Sequence, residues 1–247
     1  MIRVQERIVT LSETMWRAML ILLLVVPGCG DAAHNPDSPG AVESKVPSRR
    51  SNAVKARSPA GKENKPRVVF LGTSLTAGLG LSQEEAYPAK LVELLETRGL
   101  PIEAINAGVS GDTSAGGLSR LDWLLRVPPD VILIELGAND GLRGLPVEMT
   151  EANLIEAVTR SKAAGARVIL AGMLMPPNYG EDYTRRFAAV FPRVAMQTGA
   201  TLVPFLLESV AADPKLNQAD GIHPNAEGHE RIARTLLPFL VDALSQR

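Results

Sequence analysis

The stretch Val68-Val-Phe-Leu-Gly-Thr-Ser-Leu-Thr-Ala-Gly78 joins a short apolar run to a turn of small residues. The run from Val68 to Leu71 is typical of a buried strand, and Gly72 predicts its end. Ligands of an open parallel sheet lie just outside the carboxyl ends of its strands. Ser74 would therefore lie where functional residues are found. Taken alone, however, Gly-Thr-Ser is better explained as a turn with a helix cap, because Ser and Thr cap helices.

Apolar runs alternate with amphipathic segments from about Arg67 to Arg247. The strand candidates are Val68–Leu71, Ile102–Asn106, Val131–Leu136, Arg167–Gly172 and Leu202–Pro204. The helix candidates are Pro88–Thr97, Gly116–Leu125, Thr150–Ala164, Tyr183–Thr198 and Ala226–Leu244. This alternation predicts right-handed β-α-β crossovers, and therefore an α/β domain with a parallel sheet and helices on both faces. The third strand candidate is almost wholly apolar, which favours a central position.

Composition and charge fit a globular protein and exclude several other classes. Of 247 residues, 45% are hydrophobic and 21% are charged, which is normal for a chain that buries a core. The formal net charge of −1 gives no support for nucleic-acid binding. One cysteine and three scattered histidines make no cluster of metal ligands. The sequence also lacks the glycine-rich loops that bind nucleotides, so we expect neither a metal nor another cofactor.

Residues 1–28 are predicted to be a signal peptide. The run from Met19 to Val26 is uninterrupted and apolar, and three arginines precede it. This run is too short to span a bilayer as a helix but fits the core of a signal peptide. Met15 is an alternative start, which would leave a shorter leader.

The lone cysteine directly follows this leader, in Val26-Pro-Gly-Cys29. The segment resembles a bacterial lipobox, in which the chain is cleaved before the cysteine and the thiol is acylated, although Pro27 departs from the usual pattern. We therefore predict a lipid anchor at Cys29 and export to the bacterial cell envelope, as a lipoprotein that faces the periplasm. The alternative is ordinary signal cleavage, which would give a soluble periplasmic or secreted protein. A single cysteine allows no intrachain disulfide.

Residues 29–66 are predicted to be a disordered linker between this anchor and a domain at 67–247. Five prolines lie among Ser, Asn, Ala, Lys and Arg, with almost no large apolar residue. Such a segment buries too little surface to offset its conformational entropy. Its excess of Lys and Arg would favour a position near an anionic membrane surface, although an inert spacer explains the composition better.

Turns of small and polar residues follow each of the first three strand candidates. They are Gly72-Thr-Ser74, Ala107-Gly-Val-Ser-Gly-Asp112 and Gly137-Ala-Asn-Asp140. Because the carboxyl ends of parallel strands meet at one edge of a sheet, the three loops predict a functional site there. Acyl transfer needs hydrogen-bond donors aimed at an oxyanion, and the Gly111 N–H and the Asn139 amide are candidates. Each of these two residues, taken alone, is better explained as an ordinary turn residue.

A further polar segment lies near the C-terminus, in Asp220-Gly-Ile-His-Pro-Asn225. A serine hydroxyl needs a base within hydrogen-bonding reach, and an imidazole suits this role. An aspartate is then needed to fix the tautomer of the imidazole. One tight turn would bring Asp220 to Nδ1 of His223 and leave Nε2 free to face Ser74. Taken alone, His223 is equally well explained as a surface histidine.

Other titratable residues are less well placed for this chemistry. His34 lies in the predicted linker. His229 lies inside the last helix candidate, which favours a packing or surface role. Asp213 lies further back in the loop, and Glu227 falls in the same helix candidate as His229.

Together these segments resemble the four sequence blocks of the SGNH (GDSL-type) serine hydrolases. The blocks are Gly72-Thr-Ser-Leu75, Asn106–Thr113, Gly137–Asp140 and Asp220–His223. The chain is similar in particular to the bacterial multifunctional acyl-CoA thioesterase/protease/lysophospholipase and arylesterase group, over essentially all of 67–247. This resemblance implies a three-layer α/β/α sandwich of the flavodoxin-like type, with a central parallel sheet.

The resemblance implies a role for each site residue. Ser74 would be the nucleophile, His223 the base and Asp220 the residue that orients it. The N–H groups of Ser74 and Gly111 and the side-chain amide of Asn139 would form the oxyanion hole. The implied activity is hydrolysis of carboxylic esters, of the arylesterase, lysophospholipase or thioesterase type, through an acyl-enzyme.

One position departs from the family motif, which usually has Asp where this chain has Thr73. We expect a perturbed loop or an altered pH response rather than an inactive enzyme. Two other functions stay open at this point: an envelope carbohydrate acetylesterase of the same fold, and a catalytically weak binding lipoprotein. The expected partners are a small acyl ester or lysophospholipid, and a membrane through Cys29. We expect a monomer without a nucleic-acid partner.

Overall fold

The computed structural model describes residues 65–246. The predicted signal peptide, Cys29 and almost all of the predicted linker lie outside the described residues. Within 65–246, none of the helices combines the length and the apolar character that a membrane span requires.

Five strands form one parallel sheet in the order β2-β1-β3-β4-β5. The strands are β1 (Arg67–Gly72), β2 (Glu103–Gly108), β3 (Val131–Glu135), β4 (Arg167–Ala171) and β5 (Thr201–Val203). The helices of this part of the chain are α1 (Ser74–Ala77), α2 (Tyr87–Glu96), α3 (Ser114–Leu124), α4 (Ala138–Leu142), α5 (Val147–Ala163), α6 (Glu181–Ala188), α7 (Val190–Thr198) and α8 (Ala226–Ser245). A short 3-10 helix, Pro177–Tyr179, precedes α6. The predicted α/β fold with a parallel sheet is therefore confirmed.

The longer helices cover the sheet in two groups. Helix α2 packs against α8, and α5 packs against α3 and α7. Strand β3 lies in the middle of the sheet, and all five of its residues are buried. Full burial of a large apolar side chain contributes roughly 1.5–3 kcal/mol to the stability of the fold. The buried apolar strands therefore hold the edge of the sheet at which they end in a fixed position.

The prediction of one helix over Tyr183–Thr198 is wrong, because two helices, α6 and α7, occupy this segment. Pro192 explains the break between them. Proline has no N–H, and its ring clashes with the carbonyl four residues earlier. That carbonyl belongs to Ala188, the last residue of α6.

The short helices α1 and α4 were not predicted, because four or five mostly small residues show no helical periodicity. Gly78 ends α1 with a φ of 72°, and Gly137 precedes α4 with a φ of 102°. Both values lie in the left-handed region that glycine adopts without strain. Each helix begins just after a strand ends, so both lie at the predicted functional edge.

The register of the sheet brings the carboxyl ends of β1, β2 and β3 to one level. Gly72 pairs with Gly108 of β2 and with Glu135 of β3. Beyond this pairing, the Val109 N–H donates to the Gly72 carbonyl at 3.0 Å. A Cβ on Gly108 would overlap the backbone nitrogen of Ala77, so a glycine is needed for α1 to lie this close to β2.

Candidate active site

Ser74 is the first residue of α1 and lies directly beyond the end of β1. Its side chain is within hydrogen-bonding distance of His223, with 2.9 Å between Oγ and Nε2. The two residues are 149 positions apart in the sequence. The fold therefore brings together the two residues that the sequence predicted as nucleophile and base.

Asp220 holds the other side of the imidazole. Its Oδ2 lies 2.6 Å from Nδ1 of His223, and its Oδ1 accepts the N–H groups of Ile222 and His223, each at 3.0 Å. Gly221, with a φ of 74°, allows the chain to turn between them. The hydrogen bonds from the His223 side chain and from these two backbone N–H groups lower the pKa of Asp220 to about 2. An ionised Asp220 accepts a hydrogen bond from the Nδ1–H group, and this tautomer leaves Nε2 to accept a hydrogen bond from the Ser74 hydroxyl.

The loop that carries His223 is tied to the first strand-end turn. The Gln218 N–H donates to the His223 carbonyl at 2.7 Å. The Gln218 side chain donates to the Leu79 carbonyl, also at 2.7 Å. Leu79 in turn donates its N–H to the Ser74 carbonyl. These contacts fix the imidazole relative to the serine through the backbone as well as through their own hydrogen bond.

Two of the three candidate oxyanion donors, Gly111 and Asn139, lie on neighbouring loops that contact each other. The Asn139 side chain donates to the Asp112 carbonyl at 2.8 Å, next to Gly111. This bond uses one amide hydrogen of Asn139 and leaves the second. Within residues 65–246, the N–H groups of Ser74 and Gly111 donate to no protein acceptor. All three predicted donors thus keep a hydrogen available.

Two arginines that the sequence did not single out support these loops. Arg120 of α3 donates to Asp112 Oδ2 at 2.7 Å and to the carbonyls of Gly72 and Ala107. Arg143 donates to the Gly111 carbonyl at 2.7 Å. Arg120 therefore joins the ends of β1 and β2, and Arg143 orients the Gly111 peptide. No pattern in the sequence distinguishes these arginines from surface ones.

Glu135 is a further residue of this site that was not predicted from the sequence. It is fully buried at the end of β3 and contacts the turn that carries Ser74. Burial raises the pKa of Glu135, and hydrogen bonds from Thr73 and Thr76 act in the opposite direction. The signal was present in the sequence, because a single glutamate in an otherwise apolar strand requires buried partners.

His229 packs in the core, as its position in the last helix favoured. It is buried, its Nδ1 accepts the Tyr87 N–H at 3.1 Å, and its ring stacks on that of Tyr87. Burial lowers the pKa of His229 to about 4. This imidazole is therefore neutral in the folded protein near neutral pH. In the part of the chain that the structure describes, no three His, Cys, Asp or Glu side chains form a group that would hold a metal ion.

A serine hydrolase is the class of enzyme that this fold and this arrangement of serine, imidazole and carboxylate define. Residues 70–231 match the GDSL-like Lipase/Acylhydrolase family, and the chain belongs to that family. The predicted family is thus confirmed. The protein is an enzyme that acts on ester bonds.

Known relatives agree with this assignment. Over 174 residues the chain is 41% identical to the Esterase TesA of Pseudomonas aeruginosa, and the match covers 70% of this chain and 87% of that protein. It is 40% identical to the Thioesterase 1/protease 1/lysophospholipase L1 of Escherichia coli, over 67% of this chain and 79% of that protein. The crystal structure of the psychrotrophic esterase EstA from Pseudoalteromonas sp., inhibited by monoethylphosphonate, is similar with a TM-score of 0.70 and 38% identity, covering 73% of this chain and 100% of that chain.

The buried His229 predicts a pH dependence of stability. An exposed histidine of the unfolded chain has a pKa of about 6.5, whereas the folded value is about 4. Between these pH values the unfolded state binds a proton that the folded state does not, so the free energy of unfolding decreases as the pH falls. We expect His229→Gln, which keeps an acceptor for the Tyr87 N–H, to remove on the order of 3 kcal/mol of this decrease.

Urea unfolding of the wild type and of His229→Gln, at about pH 7 and at about pH 4.5, would measure the difference. The wild type should lose more stability than the variant between the two conditions. Equal losses in the two proteins would contradict the role given to His229.

Proposed function

We propose that this chain hydrolyses carboxylic esters through an acyl-enzyme formed on Ser74, with His223 as the general base and Asp220 as the residue that orients it. The observation that carries the proposal is the continuous hydrogen-bonded series from Ser74 Oγ to His223 to Asp220, with distances of 2.9 and 2.6 Å. A hydroxyl in this arrangement is activated because its proton has an acceptor at Nε2.

The chemical steps follow from these contacts. Ser74 Oγ attacks the ester carbonyl while His223 Nε2 takes the hydroxyl proton. The imidazolium that forms is stabilised by the ionised Asp220. The proton then passes to the leaving alcohol, and the acyl group stays on Ser74. A water molecule then attacks the acyl-enzyme in the same way, with His223 again as base, and releases the carboxylic acid and the free Ser74 hydroxyl.

The negative charge of the tetrahedral intermediate needs donors at the same edge. We propose the N–H groups of Ser74 and Gly111 and the free amide hydrogen of Asn139 for this role. Their location on three neighbouring strand-end loops supports the assignment, as does the absence of a protein acceptor for either N–H group within 65–246. Fixed donors of this kind stabilise a developing oxyanion without reorganisation.

The substrate class is proposed from the relatives. Their names describe an esterase and a thioesterase that is also a lysophospholipase. We therefore propose a small acyl ester, thioester or lysophospholipid as substrate. A panel that varies acyl-chain length and includes lysophospholipid and acyl-CoA would identify the preferred leaving group.

Ser74→Ala tests the nucleophile. Turnover of a p-nitrophenyl ester should fall by roughly 10⁴-fold or more, because the attacking oxygen is lost, and labelling by a fluorophosphonate probe should disappear. Ser119→Ala provides the matched control, since Ser119 is exposed on α3 and its hydroxyl donates to the Gly116 carbonyl of the same helix. Full turnover by purified Ser74→Ala, or its continued labelling, would rule out the assignment.

Asn139→Ala tests the oxyanion donor. Loss of one such donor typically lowers kcat by about 10²–10³-fold, with little effect on KM. Circular dichroism should give the same spectrum for variant and wild type. A decrease in kcat of less than about threefold would remove Asn139 from this role.

We also propose that Cys29 carries a lipid anchor and that the enzyme faces the periplasm from the cell envelope. The position of Cys29, directly after an apolar leader, supports this. In a bacterial host, Cys29→Ala should abolish incorporation of labelled fatty acid and move the esterase from the membrane fraction to the soluble one. Unchanged fractionation and labelling would contradict the anchor and favour ordinary signal cleavage.

A further inference from the structure

The buried carboxylate of Glu135 is surrounded by donors from a single turn. Its Oε2 accepts the Thr73 N–H at 2.8 Å, the Thr76 N–H at 3.3 Å and the Thr76 hydroxyl at 2.8 Å, and its Oε1 accepts the Thr73 hydroxyl at 2.9 Å. All four donors lie in the segment that begins just before Ser74. Burial of a carboxylate is costly unless such donors compensate for its lost hydration.

The two backbone donors lie on either side of Ser74. The first turn of a helix has N–H groups without partners inside the helix. In α1, Glu135 satisfies the N–H groups of Thr73 and Thr76 and leaves that of Ser74 without a protein acceptor among the described residues. One side chain thus fixes the residue before the nucleophile and the residue two positions after it, while the N–H proposed for the oxyanion hole stays available.

Glycine at position 72 makes this contact possible. Gly72 is the partner of Glu135 in the parallel register. A Cβ on Gly72 would overlap the Thr76 hydroxyl and approach Glu135 Oε2 to 2.6 Å. The sheet therefore presents the carboxylate directly to the turn only because position 72 has no side chain.

The network continues into α2 and α8. The Thr76 hydroxyl lies 2.7 Å from the hydroxyl of the buried Tyr87. The Tyr87 N–H donates to His229 of α8, the helix that directly follows the His223 loop. The turn that carries Ser74 is thereby connected through buried polar contacts to the element that follows its base.

We infer that Glu135 is a positioning residue for Ser74: its carboxylate holds the turn from Thr73 to Thr76 and thereby sets the direction of the Ser74 hydroxyl toward His223. The inference rests on the proposed acyl-enzyme function. Glu135 itself contacts neither the hydroxyl of Ser74 nor the imidazole of His223. Thr73 contributes one side-chain donor to this network, but the two backbone donors define the turn.

Three variants test the inference by kcat and KM for a p-nitrophenyl ester and by the rate of fluorophosphonate labelling. Glu135→Gln keeps an oxygen that accepts both N–H groups, so its kcat should stay within about tenfold of the wild type. Glu135→Ala should lower kcat and the labelling rate by about 10²-fold, the usual effect of a misplaced reacting group. Its KM should change by less than about threefold, and complete labelling should still reach one probe per chain.

A third variant keeps the test decisive if Glu135→Ala does not fold. Glu135→Asp retains the buried acid but withdraws its oxygens from the turn by one methylene, and its kcat should fall below that of Glu135→Gln by about tenfold.

The inference is overturned if a folded Glu135→Ala or Glu135→Asp has wild-type kcat, or if Glu135→Gln loses as much activity as Glu135→Asp. Effects on the melting temperature alone, with unchanged kcat and labelling rate, would mean a purely structural role and also overturn it.

Ser74→Ala separates the positioning role of Glu135 from the proposed acyl-enzyme function. If Ser74→Ala keeps turnover, both fail. If it is inactive while Glu135→Asp equals the wild type, only the positioning role fails.

Discussion

The parallel register of β1 with its two neighbours is the constraint on which the candidate site depends. It sets Gly72 beside Gly108 on one side and beside Glu135 on the other. Side chains alternate between the faces of a strand, so a slip of one residue in β3 would turn Glu135 to the opposite face of the sheet. The apolar residues of β3 are buried on both faces and would stay buried after such a slip, so the hydrogen bonds of Glu135 with Thr73 and Thr76 are what distinguish the observed register. The packing of the sheet and the position of the turn that carries Ser74 are therefore linked.

The contact between Ser74 and His223, which are distant in the sequence, depends on the loop that carries His223. Ser74 and His223 are 149 residues apart, and the chain between them forms most of the domain. Their contact is supported at the backbone by Gln218, which bonds to the carbonyls of both His223 and Leu79. Holding a nucleophile and its base in fixed geometry is worth several kcal/mol of the reaction barrier. A loop tied at several points supplies that geometry better than the imidazole contact alone.

The sequence was sufficient for the α/β class, the five strands and the order of the site blocks, because apolar runs and their small-residue turns are local features. It also indicated Ser74, His223 and Asp220, which the structure brings into contact. It did not predict α1 and α4, which are too short to show a helical periodicity. It also did not predict the break before Pro192, because the sequence does not show where α6 ends relative to this proline. Arg120 and Arg143 could not be predicted, because most of their partners are backbone carbonyls, which leave no mark on the sequence. The predictions for residues 1–64 remain outside what the structure describes.

Two carboxylates serve the site, and their surroundings give them different tasks. Asp220 is exposed, and its hydrogen bonds with His223 and Ile222 lower its pKa to about 2, so it carries a negative charge across the range in which an imidazole titrates. That charge is what a protonated His223 requires. Glu135 is buried, and burial raises its pKa, so a role based on charge would be costly there. Its oxygens instead accept the N–H groups of Thr73 and Thr76, a task that an uncharged amide oxygen also performs. Environment thus separates a carboxylate suited to an electrostatic role from one suited to a geometric role.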